Sequence, residues 1–269
     1  MTFLRALKLL LALAYGLGVV WPARRLAARS GARLFGRAAL CRGLLDALRV
    51  RVVVSGRAAP GPVLFVANHV SWIDVPALRL AEDFCFLAKR EVGLWPLIGR
   101  AARAQGTVFV DRRRRRSIPG ANALMARRLA DGRRMLMFPQ GTTLDADAAP
   151  RFFSSHFASL RDFLARDLSA GHAFVQPMAI CYSSPVAPWL GDDALLPHLW
   201  RVLREGGMEC RISFCEPLAV GRGFDRKALA REAAARVEAA LQATRRADSP
   251  APEPAEGAAV LALAGAARP

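Results

Sequence analysis

Two side chains able to exchange protons stand close together in the chain, His69 and Asp74, within Asn68-His69-Val70-Ser71-Trp72-Ile73-Asp74. An imidazole can take a proton near neutral pH, and a carboxylate can hold its tautomer and stabilise the imidazolium. This makes His69 a candidate general base and Asp74 its orienting partner. The competing reading is a structural histidine beside a helix-capping aspartate. The flanking residues place the pair. Val63-Leu64-Phe65-Val66-Ala67 reads as a buried strand, and Pro76 suits the first turn of a helix. In α/β sheets, ligands bind where strands end and helices begin.

Three more stretches carry polar groups at strand ends. Lys89 closes a predicted strand in Phe86-Leu87-Ala88-Lys89; a solvated lysine is the alternative there. Arg112 follows Gly106-Thr107-Val108-Phe109-Val110-Asp111 and opens a run of arginines to Arg116. A guanidinium fork matches phosphate or carboxylate, although most of such a run is expected to be a solvated face. Gln140, Gly141 and Thr142 follow the strand-like Met135-Leu136-Met137-Phe138 and Pro139. Gly141 would let a ligand approach the backbone, and Thr142 adds a hydroxyl; a plain turn is the alternative. A fourth stretch, Phe174-Val175-Gln176-Pro177-Met178-Ala179-Ile180, reads as an apolar strand broken by proline. His156, His172 and His198 lack a carboxylate at the same spacing and read as structural.

The elements that must position these groups alternate. Strands are predicted at 51–54, 63–67, 84–88, 107–110, 134–138, 173–182 and 209–215. Helices are predicted near 75–81, 91–104, 118–131, 155–168, 194–205 and 225–244. Such alternation argues for a sheet flanked by helices.

Residues 3–21 are strongly apolar, with Arg5 and Lys8 near the start, and Arg24, Arg25, Arg29, Arg33 and Arg37 follow. The uncharged part is shorter than the roughly 20 residues of a spanning helix. The basic flank resists translocation. The segment is read as a membrane-inserted or interfacial anchor, a buried soluble helix being the alternative. The division expected is 1–49 for membrane-anchoring helices, 50–246 for the catalytic domain, and 247–269, rich in Pro, Ala and Glu, for a disordered tail.

The net charge of +17 and pI near 11.3 call for an anionic partner. No RNA-stacking motif accompanies that charge, so nucleic acid is not expected. Walker A, G-x-G-x-x-G and G-x-S-x-G motifs are absent, which argues against nucleotide binding and the common serine-hydrolase layout. Five cysteines without a C-x-x-C pair argue against a disulfide framework or zinc knuckle. Cys85 and Cys181 read as small core residues in a reducing compartment.

In this order, the stretches resemble the motif blocks of the 1-acylglycerol-3-phosphate acyltransferase family: N-H-x4-D at Asn68–Asp74, a second block at Gly106–Arg112, an F-P-E-G-T-like block at Phe138–Thr142, and a fourth at Val175–Ile180. The resemblance covers roughly 50–220. It implies a single α/β domain with a central mixed, mostly parallel sheet, preceded by an N-terminal membrane-associated helical segment. It implies transfer of a fatty acyl group from acyl-ACP or acyl-CoA to a lysolipid hydroxyl, with 1-acylglycerol-3-phosphate as the first expected acceptor. His69 and Asp74 would be catalytic; Asn68, Lys89, Arg112, Gln140, Gly141 and Thr142 would bind substrate. Neither metal nor cofactor is implied. The expected location is the cytoplasmic face of the bacterial inner membrane, against an anionic lipid surface.

One block departs from the family pattern. Gln140 stands where the family usually has glutamate, and Thr143 where it often has arginine. The Gly-Thr-Thr form, Phe152-Phe153-Ser154-Ser155, and the segment from Gly191-Asp192 to Trp200 resemble a bacterial subgroup some of whose members acylate lyso-ornithine lipid. Two rival readings follow: a lyso-ornithine lipid O-acyltransferase, and a non-catalytic lipid-binding protein on the same scaffold.

Overall fold

A computed structural model describes residue 5 and residues 35–96, 98–145, 148–166 and 171–248. The expected anchor at 3–21 lies outside these residues except for Arg5, as does the tail beyond 248. The elements are α1 (Phe35–Leu48), β1 (Val50–Ser55), β2 (Val63–Ala67), α2 (Asp74–Ala81), β3 (Phe84–Lys89), α3 (Arg90–Leu94), α4 (Ile98–Ala104), β4 (Val108–Val110), α5 (Ser117–Ala130), β5 (Arg134–Met137), a 3-10 turn (Ser154–Ala158), α6 (Ser159–Arg166), β6 (Ala173–Tyr182), α7 (Leu195–Arg204), β7 (Met208–Phe214), β8 (Leu218–Val220) and α8 (Arg226–Asp248).

The strands form one mixed sheet in the order β1-β7-β6-β2-β5-β3-β4, with β8 beside β6. β6, β2, β5, β3 and β4 are mutually parallel, while β7 and β8 run antiparallel to β6. Every residue of β2 is buried, as expected for a strand covered on both faces. Side-chain alternation along it builds two cores. Phe65 and Ala67 point to a layer with Leu45 and Leu48 of α1, Ala77 and Leu78 of α2 and Val202 of α7. Leu64 and Val66 point to Met125 of α5, Phe163 of α6 and Ala230 of α8.

The parallel strands end together at one edge, and His69 follows the central one. α7 joins the end of β6 to the start of β7, where Tyr182 is paired with Cys210, and packs in the layer of α1 and α2. Among the described residues, no helix is long and apolar enough to cross a membrane.

Several expectations are corrected. β6 is not broken at Pro177; it runs unbroken through ten residues. Pro177 sits where the neighbour changes from β8 (through Val175) to β7 (from Met178). Its carbonyl accepts from Cys215 N on that side at 3.0 Å, so the missing N–H faces the seam, where proline costs no ladder bond. The helix expected at 155–168 is a 3-10 turn followed by α6. β8 was not foreseen. α8 continues to Asp248, so Ala247 and Asp248 are helical. Cys85 is buried as expected, while Cys181 is half-buried.

Candidate active site

The loop after β2 is fastened before it reaches His69. Asn68 is buried, and its carboxamide donates to Ile180 O and accepts from Ile180 N, both at 2.8 Å. This side chain prolongs the β2–β6 ladder by one rung. The His69 backbone N–H donates to Gln140 Oε1 at 2.7 Å, and the His69 carbonyl accepts from Leu144 N at 2.9 Å. The loop after β5 therefore holds the His69 backbone at both polar groups. The ring of His69 stacks on Phe138, with centroids 3.9 Å apart and planes 11° apart.

His69 Nδ1 lies 2.7 Å from Asp74 Oδ2. Asp74 opens α2 and is fully buried. It does not cap that helix. Its Oδ2 turns back to accept from Val70 N at 2.8 Å and Ser71 N at 3.1 Å, and its Oδ1 accepts from Tyr182 Oη at 2.7 Å. Three donors besides the His69 ring thus meet one carboxylate, which can only accept while ionised. Nδ1 of His69 must then carry the proton, leaving Nε2 as the basic ring nitrogen. The His69 side chain is 20% exposed, so it is anchored from below and open on one side. Burial and the Asp74 charge raise the Tyr182 phenol well above its usual range, keeping it a neutral donor.

The second region gathers residues from the neighbouring strand ends. Arg112, after β4, donates through Nη1 to Gly141 O. Gly141 has a φ of 81°, in the region that favours glycine. An added Cβ there would stand 3.3 Å from Arg112 Nη1. His156 Nδ1 lies 2.8 Å from Asn122 Oδ1, and Asn122 donates to Ser155 O at 3.1 Å. Burial, and then the Arg112 charge, push the His156 imidazole down to about 4, so it is neutral at physiological pH. Gln140 is buried, and Thr142 is exposed. Lys89 is exposed at the end of β3, two strands from β2. Arg113 to Arg116 are exposed, as a solvated face requires.

Sequence reasoning missed Tyr182, whereas His156, read as structural, is held by Asn122. Tyr182 is 108 residues from Asp74, and only the adjacency of β6 and β2 joins them. His198 is structural as expected. It is fully buried, accepts from Trp72 Nε1 at 3.0 Å, and lies 3.0 Å from Pro188 O through Nε2. Among the described residues, no group of three His, Cys, Asp or Glu side chains could hold a metal ion.

The fold is an α/β sheet with a hydrogen-bonded His–Asp pair at its carboxyl edge. The Acyltransferase family model matches residues 49–188, and the chain belongs to that family. It is an O-acyltransferase. Among similar proteins, the lyso-ornithine lipid O-acyltransferase of Pseudomonas aeruginosa is 42% identical over 210 residues, covering 75% of this chain and 76% of that protein. The enzyme of the same name from Brucella abortus is 37% identical over 223 residues, 78% of each. The 1-acyl-sn-glycerol-3-phosphate acyltransferase of Neisseria meningitidis serogroup B is 31% identical over 193 residues, 71% of this chain and 74% of that one. The crystal structure of the 1-acyl-sn-glycerophosphate acyltransferase PlsC from Thermotoga maritima has the same fold, with a TM-score of 0.56 at 20% identity, over 90% of this chain and 98% of that one.

Proposed function

We propose that this acyltransferase moves a fatty acyl group from acyl-ACP or acyl-CoA to the hydroxyl of a lysolipid. The observation that carries the reading is the 2.7 Å bond from His69 Nδ1 to a buried carboxylate that three other donors also meet. His69 Nε2 takes the hydroxyl proton as the acceptor oxygen attacks the thioester carbonyl. The C–S bond then breaks, and the thiolate leaves with that proton. Asp74 stabilises the imidazolium between the two steps. Arg112 binds the anionic part of the acceptor head group, with Lys89 on the same edge. Gln140, Gly141 and Thr142 line the pocket, and Asn68 fixes the loop that presents His69. The reaction takes place at the cytoplasmic face of the bacterial inner membrane, where the basic N-terminal residues meet anionic lipid.

Lyso-ornithine lipid is the preferred acceptor in this proposal. Support comes from the relatives at 42% and 37% identity, both named for that substrate, and from Gln140 in place of the family's usual glutamate. The second reading, 1-acylglycerol-3-phosphate, is favoured by the Neisseria relative at 31%. Purified enzyme supplied with acyl-ACP and equal amounts of the two acceptors separates them. The expected result is a higher kcat/KM for lyso-ornithine lipid; preference for lysophosphatidate refutes it. Gln140→Glu should keep the bond to His69 N while adding a charge, and should shift preference toward lysophosphatidate. An unchanged ratio would mean that Gln140 acts only on the His69 backbone.

A further inference from the structure

Six large apolar side chains stand out from the carboxyl edge of the sheet, in two groups flanking the His69 loop. Leu94, Trp95 and Ile98 are 71%, 39% and 47% exposed; Leu190, Leu196 and Trp200 are 40%, 73% and 49% exposed. The first group belongs to the α3–α4 corner, which starts directly at the end of β3. Its layer is fixed by Gly93, whose Cβ position lies 3.2 Å from the Phe109 ring. Val108 and Val110 point to the other core, so Phe109 and this corner share the face that carries α1, α2 and α7. The second group belongs to the loop after β6 and to α7. Trp189 N donates to Val70 O at 2.9 Å, and Thr143 Oγ1 donates to Trp189 O. Those bonds seat Leu190 beside the loop that carries His69. Leu196 and Trp200 are one helical turn apart and share an outward face of α7, while His198, Val202 and Leu203 form its buried face. The exposed side of the helix thus presents Leu196 and Trp200 beside Arg201 and Arg204.

A charged border completes the first group. Arg90 of α3 and Arg114 of the arginine run both reach Asp111 Oδ2, at 3.5 Å each. This junction ties Arg114, within the exposed run Arg113 to Arg116, to the first residue of the helix that carries Leu94. Leucine, isoleucine and tryptophan bordered by arginine are the side chains that settle at a bilayer interface. A cationic border favours anionic lipid.

The geometry points to this edge as a docking surface for an anionic bilayer, with the two apolar groups inserted on either side of the His69 opening. Such seating lets a lysolipid reach His69 from the membrane without leaving it for water. A partner protein covering both groups would close that opening. This inference rests on the lipid acceptor proposed above.

The test uses the full chain with vesicles of phosphatidylethanolamine and phosphatidylglycerol that carry brominated acyl chains. Bromine quenches an inserted indole. Wild-type fluorescence should be quenched, and Trp95→Phe and Trp200→Phe should each remove part of the quenched signal. Leu94→Glu together with Leu196→Glu, both at exposed positions, should raise the apparent KM for vesicle-presented acceptor about tenfold. With a short-chain acceptor soluble in water, the same variant should stay within about twofold of wild type, because no interfacial binding is then involved. Unquenched Trp95 and Trp200 in an enzyme that turns over the short-chain acceptor would overturn the docking surface. So would an unchanged KM on vesicles. Wild-type protein that is quenched yet transfers no acyl group to any lysolipid would instead refute the proposed function.

Discussion

Asp74→Asn separates charge from shape in the candidate active site. Asp74 Oδ2 faces three donors, the His69 Nδ1–H and the Val70 and Ser71 N–H groups, whereas Oδ1 faces only Tyr182 Oη. An asparagine has one accepting and one donating end. The three donors hold its oxygen at the Oδ2 position. The amide NH2 then meets Tyr182 Oη, which can accept. The Nδ1–H tautomer of His69 survives, and what is lost is the negative charge that stabilises the imidazolium. Unit charges about 4 Å apart at an effective dielectric of about 20 attract by about 4 kcal/mol. That corresponds to a fall of about a thousandfold in kcat at about 1.4 kcal/mol per decade. Stability should change less. Bonds to a charged acceptor become neutral ones, and the desolvation cost of the carboxylate disappears, for a net loss of about 2 kcal/mol. A domain of this size should then melt about 4–8 °C lower. Thiol release from acyl-CoA in the presence of lysolipid, measured beside a thermal melt, gives both quantities. A folded variant with kcat within about fivefold of wild type would refute the assignment of Asp74 as the imidazolium's counter-charge.

Tyr182→Phe leaves Asp74 Oδ1 buried without its donor and should destabilise the enzyme by roughly 2 kcal/mol, with kcat lowered about tenfold or less because three donors remain; a melt unchanged from wild type would contradict this. His156 has a folded-state value of about 4 against the ordinary 6.5. Its unfolded form therefore binds the proton first as pH falls, and stability present above pH 6.5 is lost toward pH 4, by about 3 kcal/mol at most. Denaturant unfolding across that window should show His156→Gln losing the extra slope seen in wild type; identical slopes would contradict it.

The fold was largely legible because strand and helix patterns alternate cleanly. β2 and β6 were delimited correctly from their apolar runs, and α5 to within one residue at each end. The pair His69 and Asp74 was legible because it is local: a carboxylate in the first turn of α2 turns back onto the loop before it. What sequence did not reveal depends on sheet order. Tyr182 reaches Asp74 because β6 is the neighbour of β2, and Arg112 reaches Gly141 because β3 alone lies between β4 and β5. Pro177 looked like a break because a strand's neighbours cannot be read from its own residues. Asn68 read as a substrate contact, and in the structure its carboxamide bonds to Ile180. Gln140 likewise makes its bond to the backbone of His69, a role that spacing alone does not suggest.

Acyl transfer by purified His69→Ala tests the central claim most directly. The measurement is made with lyso-ornithine lipid and with lysophosphatidate, beside a thermal melt. The mechanism predicts a fall of at least about a thousandfold in kcat with either acceptor, since both the general base and the Asp74-stabilised imidazolium are removed, with the fold retained. Turnover within about tenfold of wild type by the folded variant would show that His69 is not the base.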